Sequence, residues 1–324
     1  MSSVTRVPET KTSSGDELGA ETAWTTARDH FSDICVESFA RFRYGDGFSH
    51  SRALGLQLAL GFMPLTLALV ALSDTLYAER MGSVLKMSLL SLTPGASDQV
   101  VGDALDQPTR LQGDGPQIAL WSGLVVALLA LTTAMGQVER GANRIYGIQR
   151  DRPTVAKYAR AAAMAITSGV ATLAGFIVLV SGAAFGAAVE EVYGIDDDLV
   201  TSIAIPVGVV LLLASITSML RFSPRRRQPG WSWLALGGAT ALLLWLFFTA
   251  LVGAYLTFSD SLGTVYGPLT AVIVLLLWAQ LTSIAIFVAL AVSAQIEAQF
   301  AGVHHGALDD PEEAPARHSS TRDA

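Results

Sequence analysis

The chain has 324 residues, of which 51% are hydrophobic and only 15% are charged, with a formal net charge of −7. Soluble domains average about 25% charged residues, and here the charges are clustered, which leaves six long stretches without any. This pattern predicts a membrane protein, and the net charge argues against a nucleic-acid-binding protein. The single cysteine, Cys35, excludes an intramolecular disulfide and a Cys-rich metal site.

The N-terminal region divides into a polar tail and an amphipathic segment. Residues 1–22 are rich in Ser, Thr, Glu and Gly and lack apolar periodicity, which predicts a disordered cytoplasmic tail without a cleavable signal peptide. From Trp24 to Phe42 apolar residues recur at spacings of three and four, so we expect an amphipathic helix. It would lie along the membrane interface or against the bundle, as an anchor or, alternatively, as a sensor or gate helix.

Six apolar segments are each long enough to cross a hydrocarbon core of about 30 Å. They lie at about 53–73, 118–135, 161–188, 199–220, 231–256 and 267–296. The predicted fold class is therefore an all-α polytopic membrane protein with six transmembrane helices and an N-terminal amphipathic helix, and residues 23–300 form the membrane domain. Residues 301–324 are predicted to be a second disordered cytoplasmic tail. The charges within 75–116 favour the outer surface for that segment, although the sequence does not settle its placement.

The Lys and Arg residues set the expected orientation. Six precede the first span, six lie between spans two and three, four between spans four and five, and two in the C-terminal tail. The opposite side has three, Arg80, Lys86 and Arg110. Because cytoplasmic loops carry the excess of Lys and Arg, both termini are predicted to be cytoplasmic.

The sequence offers no arrangement suited to catalysis inside the membrane. None of the five histidines lies within a predicted span, and no aspartate does, so neither a Ser-His dyad nor an aspartyl pair is available there. His304 and His305 lack a third ligand for zinc, and no phosphate-binding loop motif occurs. We therefore expect no enzymatic activity, no cofactor and no metal.

Two groups of residues are candidates for contact with a solute. Arg140 and Arg144 lie four residues apart, so they share one face where the second span leaves the membrane, and they could attract an anionic head group. The alternative is that these arginines only fix the topology. Polar residues within the spans, and a kink at Pro64, could line a path, although packing between helices is the simpler account.

Four stretches, in order and spacing, resemble the YihY/BrkB family of bacterial inner-membrane proteins, once misnamed ribonuclease BN. They are FMPL around Pro64, ALWSGLVVALLAL followed by GANRIYGIQRDRP, RFSPRRRQPGWSW with the span after it, and YGPLTAVIVLLLWAQ continuing to SAQIEAQ. The chain departs from the family pattern at Gln57 and Gly61, and at Ser293-Ala294-Gln295, where the family has Gly-Ala-Glu. The last change removes an acidic side chain and argues against proton coupling there, although Glu297 lies two residues on.

The resemblance implies a six-span inner-membrane protein with links to envelope integrity and lipid handling. We expect a transporter or lipid-handling protein for an anionic or amphiphilic solute, and a non-transporting scaffold of envelope assembly is the alternative. Its partners would be membrane lipids and no nucleic acid, and a homo-oligomer is left open. The candidate binding residues are Arg140, Arg144, Tyr146, Arg221, Tyr266 and Gln280, and the candidate hinge or path-lining residues are Gln57, Pro64, Trp278 and Gln295.

Overall fold

The structure is a computed structural model that describes residues 5–10, 19–75, 115–193, 197–258 and 269–309. Its helices are α1 (Ala20–Asp29), α2 (Phe31–Tyr44), α3 (Gly47–Thr75), α4 (Gly115–Ile145), α5 (Thr154–Tyr193), α6 (Asp197–Phe222), α7 (Trp231–Phe258) and α8 (Leu269–Phe300). A pair of two-residue antiparallel strands, β1 (Thr5–Arg6) and β2 (Leu308–Asp309), joins the two terminal regions. Apart from this strand pair, the described residues confirm the predicted all-helical class.

The helices α3 to α8 coincide with the six predicted spans. Within the described residues, four segments are long and apolar enough to cross a membrane: Leu120–Ile145, Ser202–Phe222, Trp231–Leu256 and Val272–Phe300. In these segments only 22% to 33% of the most apolar window is buried, so part of their apolar surface remains on the outside of the bundle, where lipid would contact it. The chain is therefore a membrane protein with several spans, and the membrane assignment of α3 and α5 remains a prediction.

Consecutive helices from α3 to α8 pack side by side, and α8 returns to pack on α3. Helix α8 also contacts α1, α2 and α4, and its second half is the most buried part of the fold, with Phe287, Leu290 and Ala294 fully buried. Close approach requires small residues at the contacts. A Cβ atom on Gly55 of α3 would lie 2.9 Å from the Cα of Gln280 on α8.

Pro64 lies inside α3, where the sequence predicted a kink. Helix α4 comes close at this point, because a Cβ on Gly123 would lie 3.1 Å from the Pro64 carbonyl oxygen. The close approach of α4 to α3 at Pro64 agrees with a role of the proline in helix packing. Its role as a hinge or in lining a path remains a prediction.

The segment predicted as one amphipathic helix forms two helices, α1 and α2, which are separated at His30. Helix α1 contacts α7 and α8, and α2 contacts α8. The opposite surface exposes large apolar side chains, with Trp24 at 59%, Phe31 at 68% and Phe39 at 55% relative exposure. Both helices therefore pack against the bundle by one face and leave a second apolar face outside.

Four segments meet at one end of the helix bundle: residues 5–10, the α4–α5 connection 146–153, the α6–α7 connection 223–230, and residues 301–309. We call these four segments, with the helix ends that they contact, the basic end. Arg152 donates to the Ser223 carbonyl at 3.3 Å, Arg226 donates to the Thr10 carbonyl at 2.6 Å, and β1 pairs with β2. Within the two predicted disordered tails, residues 5–10 and 301–309 thus make defined contacts.

Candidate functional site

The guanidinium group of Arg41, on α2, is fully buried in the basic end. Its Nη1 donates to the carbonyls of Pro8 and Ile145, both at 3.2 Å, and to Thr10 Oγ1 at 3.1 Å. Its Nε donates to Gln295 Oε1 at 3.1 Å. All these acceptors are neutral, and burial lowers the pKa of Arg41 to about 10.

A buried ion pair lies beside Arg41. Glu297 near the end of α8 is fully buried and pairs with the guanidinium of Arg226. The same guanidinium lies over the ring of Tyr146, 4.8 Å from its centroid, which is cation–π geometry. Tyr146 is also fully buried, and burial raises its pKa. Two predicted candidates, Tyr146 and Gln295, therefore share one cluster with Arg41 and Arg226.

A second buried ion pair joins α4 to the α4–α5 connection, which in turn contacts the α6–α7 connection. The Glu139 side chain is 1% exposed, and its Oε1 lies 2.9 Å from Nη1 of Arg152. Arg152 also donates to the carbonyls of Ser223 and Pro224, at 3.3 and 3.1 Å. Because breaking a buried pair leaves an uncompensated charge, this pair fixes how the two connections meet.

Asp151 in the α4–α5 connection is surrounded by positive charge. Lys157 Nζ lies 3.6 Å and Arg140 Nε 3.9 Å from its Oδ2, and Asn143 donates to its Oδ1 at 3.1 Å. Partial burial raises the pKa of Asp151, but the Asn143 hydrogen bond and the cations Lys157, Arg140 and Arg144 outweigh that effect and hold the pKa below its ordinary value. We call Arg140, Arg144 and Lys157 around Asp151 the cationic rim.

The two arginines of the cationic rim are accessible to a ligand. The Arg140 side chain is 47% exposed, and Arg144, one turn later, donates to the neutral Gln149 Oε1 at 3.0 Å. His50 of α3 lies close by, with its Nδ1 2.7 Å from Gln137 Nε2. Burial lowers the pKa of His50, and the charges of Arg140 and Arg144 lower it further.

Two more candidates have defined partners away from the cationic rim. Arg221 donates to the Pro229 carbonyl at 2.7 Å and lies 5.3 Å from the Trp231 ring centroid. Trp278 donates its indole N–H to Thr249 Oγ1 at 3.2 Å, across the α7–α8 contact. Both side chains thus serve packing between elements, and their roles in binding or in lining a path stay predictions.

The remaining candidates are dispersed. Gln57 is partly buried in α3, and Gln280 lies against Gly55 at the α3–α8 contact. Tyr266 lies outside the described residues. Among the residues that the structure does describe, no set of three His, Cys, Asp or Glu side chains is arranged to hold a metal ion.

Sequence reasoning missed the buried charges of the basic end, Arg41 and Glu139 among them. Arg41 falls outside the apolar spacing of the amphipathic segment, yet it follows Ser38 by three positions and Ile34 by seven, and both of those are buried. This spacing puts all three on one helix face and was the available signal. Glu139 has no comparable signal, because its partner Arg152 lies beyond the end of α4.

The four motifs and the helices that carry them point to one family, and a family profile decides the matter. The profile of the virulence factor BrkB family matches residues 38–314. The chain belongs to this family. The matched region begins within α2 and includes every helix from α3 to α8, so the BrkB-family region contains Arg41, the cationic rim and both buried ion pairs. Searches of curated proteins and of solved structures returned no match.

Proposed function

We propose that this BrkB-family chain is a six-span protein of the bacterial inner membrane that transports or otherwise handles an anionic lipid or amphiphilic solute. Both termini would lie in the cytoplasm, because 18 of the 21 Lys and Arg residues precede the first span, follow the last span, or lie between spans two and three or between spans four and five. The pairing of β1 with β2 supports termini on one side, which an even number of spans requires. Handling of a lipid would connect the protein to envelope integrity.

The observation that carries the proposal is the excess of positive charge in the cationic rim. Three cations, Arg140, Arg144 and Lys157, act on the single carboxylate of Asp151. Arg140 and Arg144 are also at the end of an apolar span, where lipid head groups would lie. Each Lys or Arg near an anionic leaflet contributes about 1 kcal/mol to lipid attraction, so a pair of accessible arginines favours an anionic head group.

A scaffold of envelope assembly is the second candidate. Arg221, Trp278 and Gln295 all have partners inside the protein, as residues that serve packing alone would have. In a scaffold, the cationic rim would only set the topology. Such a protein would move no lipid and would co-purify with a partner in a fixed ratio.

The test is native mass spectrometry of the protein extracted gently from its own membrane, with the retained lipids identified. We expect wild-type protein to retain a specific anionic lipid and the Arg140→Ala/Arg144→Ala variant to lose it. Arg28→Ala is the matched control, because Arg28 lies on α1, pairs with Asp29 at 3.1 Å and is exposed. Identical lipid profiles for wild type and the double variant would contradict the proposal.

A further inference from the structure

Residues Pro8, Glu9 and Thr10 form a strap across the basic end, which we call the terminal strap. Its backbone and side-chain oxygens accept hydrogen bonds from two buried arginines. Pro8 O and Thr10 Oγ1 bind Nη1 of Arg41, at 3.2 and 3.1 Å, and Thr10 O binds Nη1 of Arg226 at 2.6 Å. The backbone N–H of Thr10 also donates to the Tyr146 carbonyl at 3.2 Å.

The buried guanidinium of Arg41 forms hydrogen bonds to neutral groups only. Its Nη2 is buried and has no hydrogen-bond partner among the described residues. The nearby carboxylate of Glu297 is paired with Arg226. Glu37 acts on the charge of Arg41 but forms no ion pair with it among the described residues. The two guanidinium groups thus face the terminal strap, and the three strap oxygen atoms that they bind are all neutral.

An anion in place of those oxygens would supply the missing charge. Hydrogen bonds from arginine to an ionised oxygen are about twice as strong as those to a neutral carbonyl. A phosphate group presents several such oxygens, and the planar guanidinium matches that geometry. Tyr146 would form one wall of the site, because Arg226 already lies on its ring.

We propose that Arg41 and Arg226 form a phosphate-binding site, for a free phosphate or the phosphate of a lipid head group, that the terminal strap occupies until it is displaced. The strap oxygens stand where phosphate oxygens would bind, so ligand and strap compete for the same two guanidinium groups. This site is separate from the cationic rim and goes beyond the function proposed above.

Gly147 offers a way to displace the terminal strap without touching either arginine. An added Cβ there would lie 2.7 Å from the Pro8 carbonyl oxygen and from the Cα of Glu9, so Gly147→Ala pushes the strap away. Gly147 also has a positive φ of 78°, which alanine would strain. Gly302→Ala is the control for that strain, because Gly302 has a φ of 77° and nothing within 4 Å of the added Cβ.

The experiment measures binding of inorganic phosphate and of short-chain phosphatidylglycerol to the full-length protein in neutral detergent. We expect Gly147→Ala to bind at least one of them about tenfold more tightly than wild type, since a strap that is open a tenth of the time lowers the apparent affinity about tenfold. Faster hydrogen exchange at residues 5–10 in the same variant reports release of the strap. Gly302→Ala binds as wild type does.

A second substitution identifies the binding site. Gln295→Glu places a carboxylate where Gln295 Oε1 now accepts from Arg41 at 3.1 Å, so it neutralises Arg41 without removing it. In the Gly147→Ala background it returns binding to the wild-type level. Arg140→Ala/Arg144→Ala in that background keeps the gain, which separates this site from the cationic rim.

The binding results show whether the ligand is a lipid head group or free phosphate, and they test the proposal. A gain for phosphatidylglycerol but not for inorganic phosphate assigns a lipid head group, and a gain for inorganic phosphate assigns free phosphate. The proposal is overturned by faster exchange of the strap with no gain for either ligand. It is equally overturned if Gly147→Ala leaves exchange and binding unchanged, or if the gain survives Gln295→Glu.

Discussion

Single arginines of the basic end differ in what balances their charge. Arg152 and Arg226 each face a buried carboxylate, whereas Arg41 is held by neutral oxygens alone. Arg140 and Arg144 are accessible and belong to a group in which cations outnumber the one carboxylate. The buried arginines hold the fold together, because a buried charge requires a partner. The accessible arginines can attract an anion from outside without any displacement of the chain.

The Glu139–Arg152 pair should be essential for stability. Glu139→Gln leaves the partly buried Arg152 without a counter-charge, and breaking a fully buried pair costs about 3–5 kcal/mol, which is the upper bound here. The thermal unfolding midpoint in detergent should therefore fall sharply. Asp29→Asn is the matched control, because the Arg28–Asp29 pair is exposed and is worth about 0.2–1 kcal/mol. Equal midpoints for the two variants would show that Glu139 and Arg152 do not support the fold.

His50 should make stability depend on pH near neutrality. Burial lowers its pKa below the ordinary 6.5, Arg140 and Arg144 add to the effect, and Asp46 and Asp151 oppose it. The unfolded chain therefore binds the proton more readily than the folded chain, so stability is complete above pH 6.5 and falls as the pH drops towards the lower pKa of the folded state.

The measurement is the unfolding midpoint at a series of pH values, for wild type and for His50→Gln. Glutamine keeps a hydrogen-bonding partner for Gln137 and cannot titrate, so the variant should lose the part of the slope that lies just below pH 6.5. An unchanged slope would assign the pH dependence to other groups.

At the scale of the helix, α8 is the element on which the bundle is assembled. It contacts α1, α2, α3, α4 and α7, and its side chains from Ala289 to Ala291 and from Ala294 to Ala298 are almost wholly buried. Helix α7 approaches it through Gly237 and approaches α6 through the neighbouring Gly238. Two adjacent glycines thus allow α7 to pack between two helices.

Gly237→Ala should destabilise the bundle at the α7–α8 contact. An added Cβ would overlap the hydroxyl of Ser293 and would lie 3.2 Å from its Cβ, so either that hydroxyl gives up its hydrogen bond to the Ala289 carbonyl or the helices separate. Such overpacking typically costs about 1–3 kcal/mol.

Gly253→Ala on the same helix is the control, because its added Cβ has nothing within 4 Å. The control should be neutral or slightly stabilising, since alanine favours a helix more than glycine does. Unfolding in detergent, followed by size-exclusion fluorescence, measures both variants. A Gly237→Ala protein as stable as the control would contradict the close approach of α7 and α8.

The helices were predictable from the sequence, and their contacts were only partly so. Apolar length located all of α3 to α8, because a bilayer core sets a minimum length that composition alone reveals. A Cβ on Gly175 of α5 would lie 3.0 Å from the Leu212 side chain of α6, so the two helices approach closely at this small residue. The roles of Gly237 and Gly238 were not predicted, since a glycine in an apolar run does not indicate which neighbour comes close.

At the basic end, short-range patterns were informative and long-range pairings were not. Arg140 and Arg144 were predicted to share a helix face, since their spacing of four decides it. The contacts of Arg41 with Gln295 and of Arg226 with Thr10 join residues more than two hundred positions apart, and no local pattern encodes them. Residues 5–10 lack apolar periodicity, and their place in the basic end depends mainly on backbone groups and on the hydroxyl of Thr10, which form no pattern in the sequence.

At the scale of the whole molecule, the account requires both termini in the cytoplasm. Cys35 is exposed on α2 and should react with a membrane-impermeant maleimide only after the membrane of spheroplasts is permeabilised. The paired variant Glu190→Cys/Cys35→Ser carries its cysteine in the acidic region after the third predicted span, so it should react in intact spheroplasts. Labelling of Cys35 in intact spheroplasts would reverse the proposed orientation.

The central claim is that the protein handles an anionic lipid, and lipid movement in proteoliposomes tests it most directly. The purified protein is reconstituted, and transfer of a labelled anionic phospholipid between the leaflets is followed for wild type, Arg140→Ala/Arg144→Ala and Arg28→Ala. The account predicts faster transfer than in protein-free liposomes for wild type and Arg28→Ala, and transfer at the protein-free rate for the double variant. Wild-type proteoliposomes that transfer the lipid no faster than protein-free ones would contradict the claim and favour the scaffold.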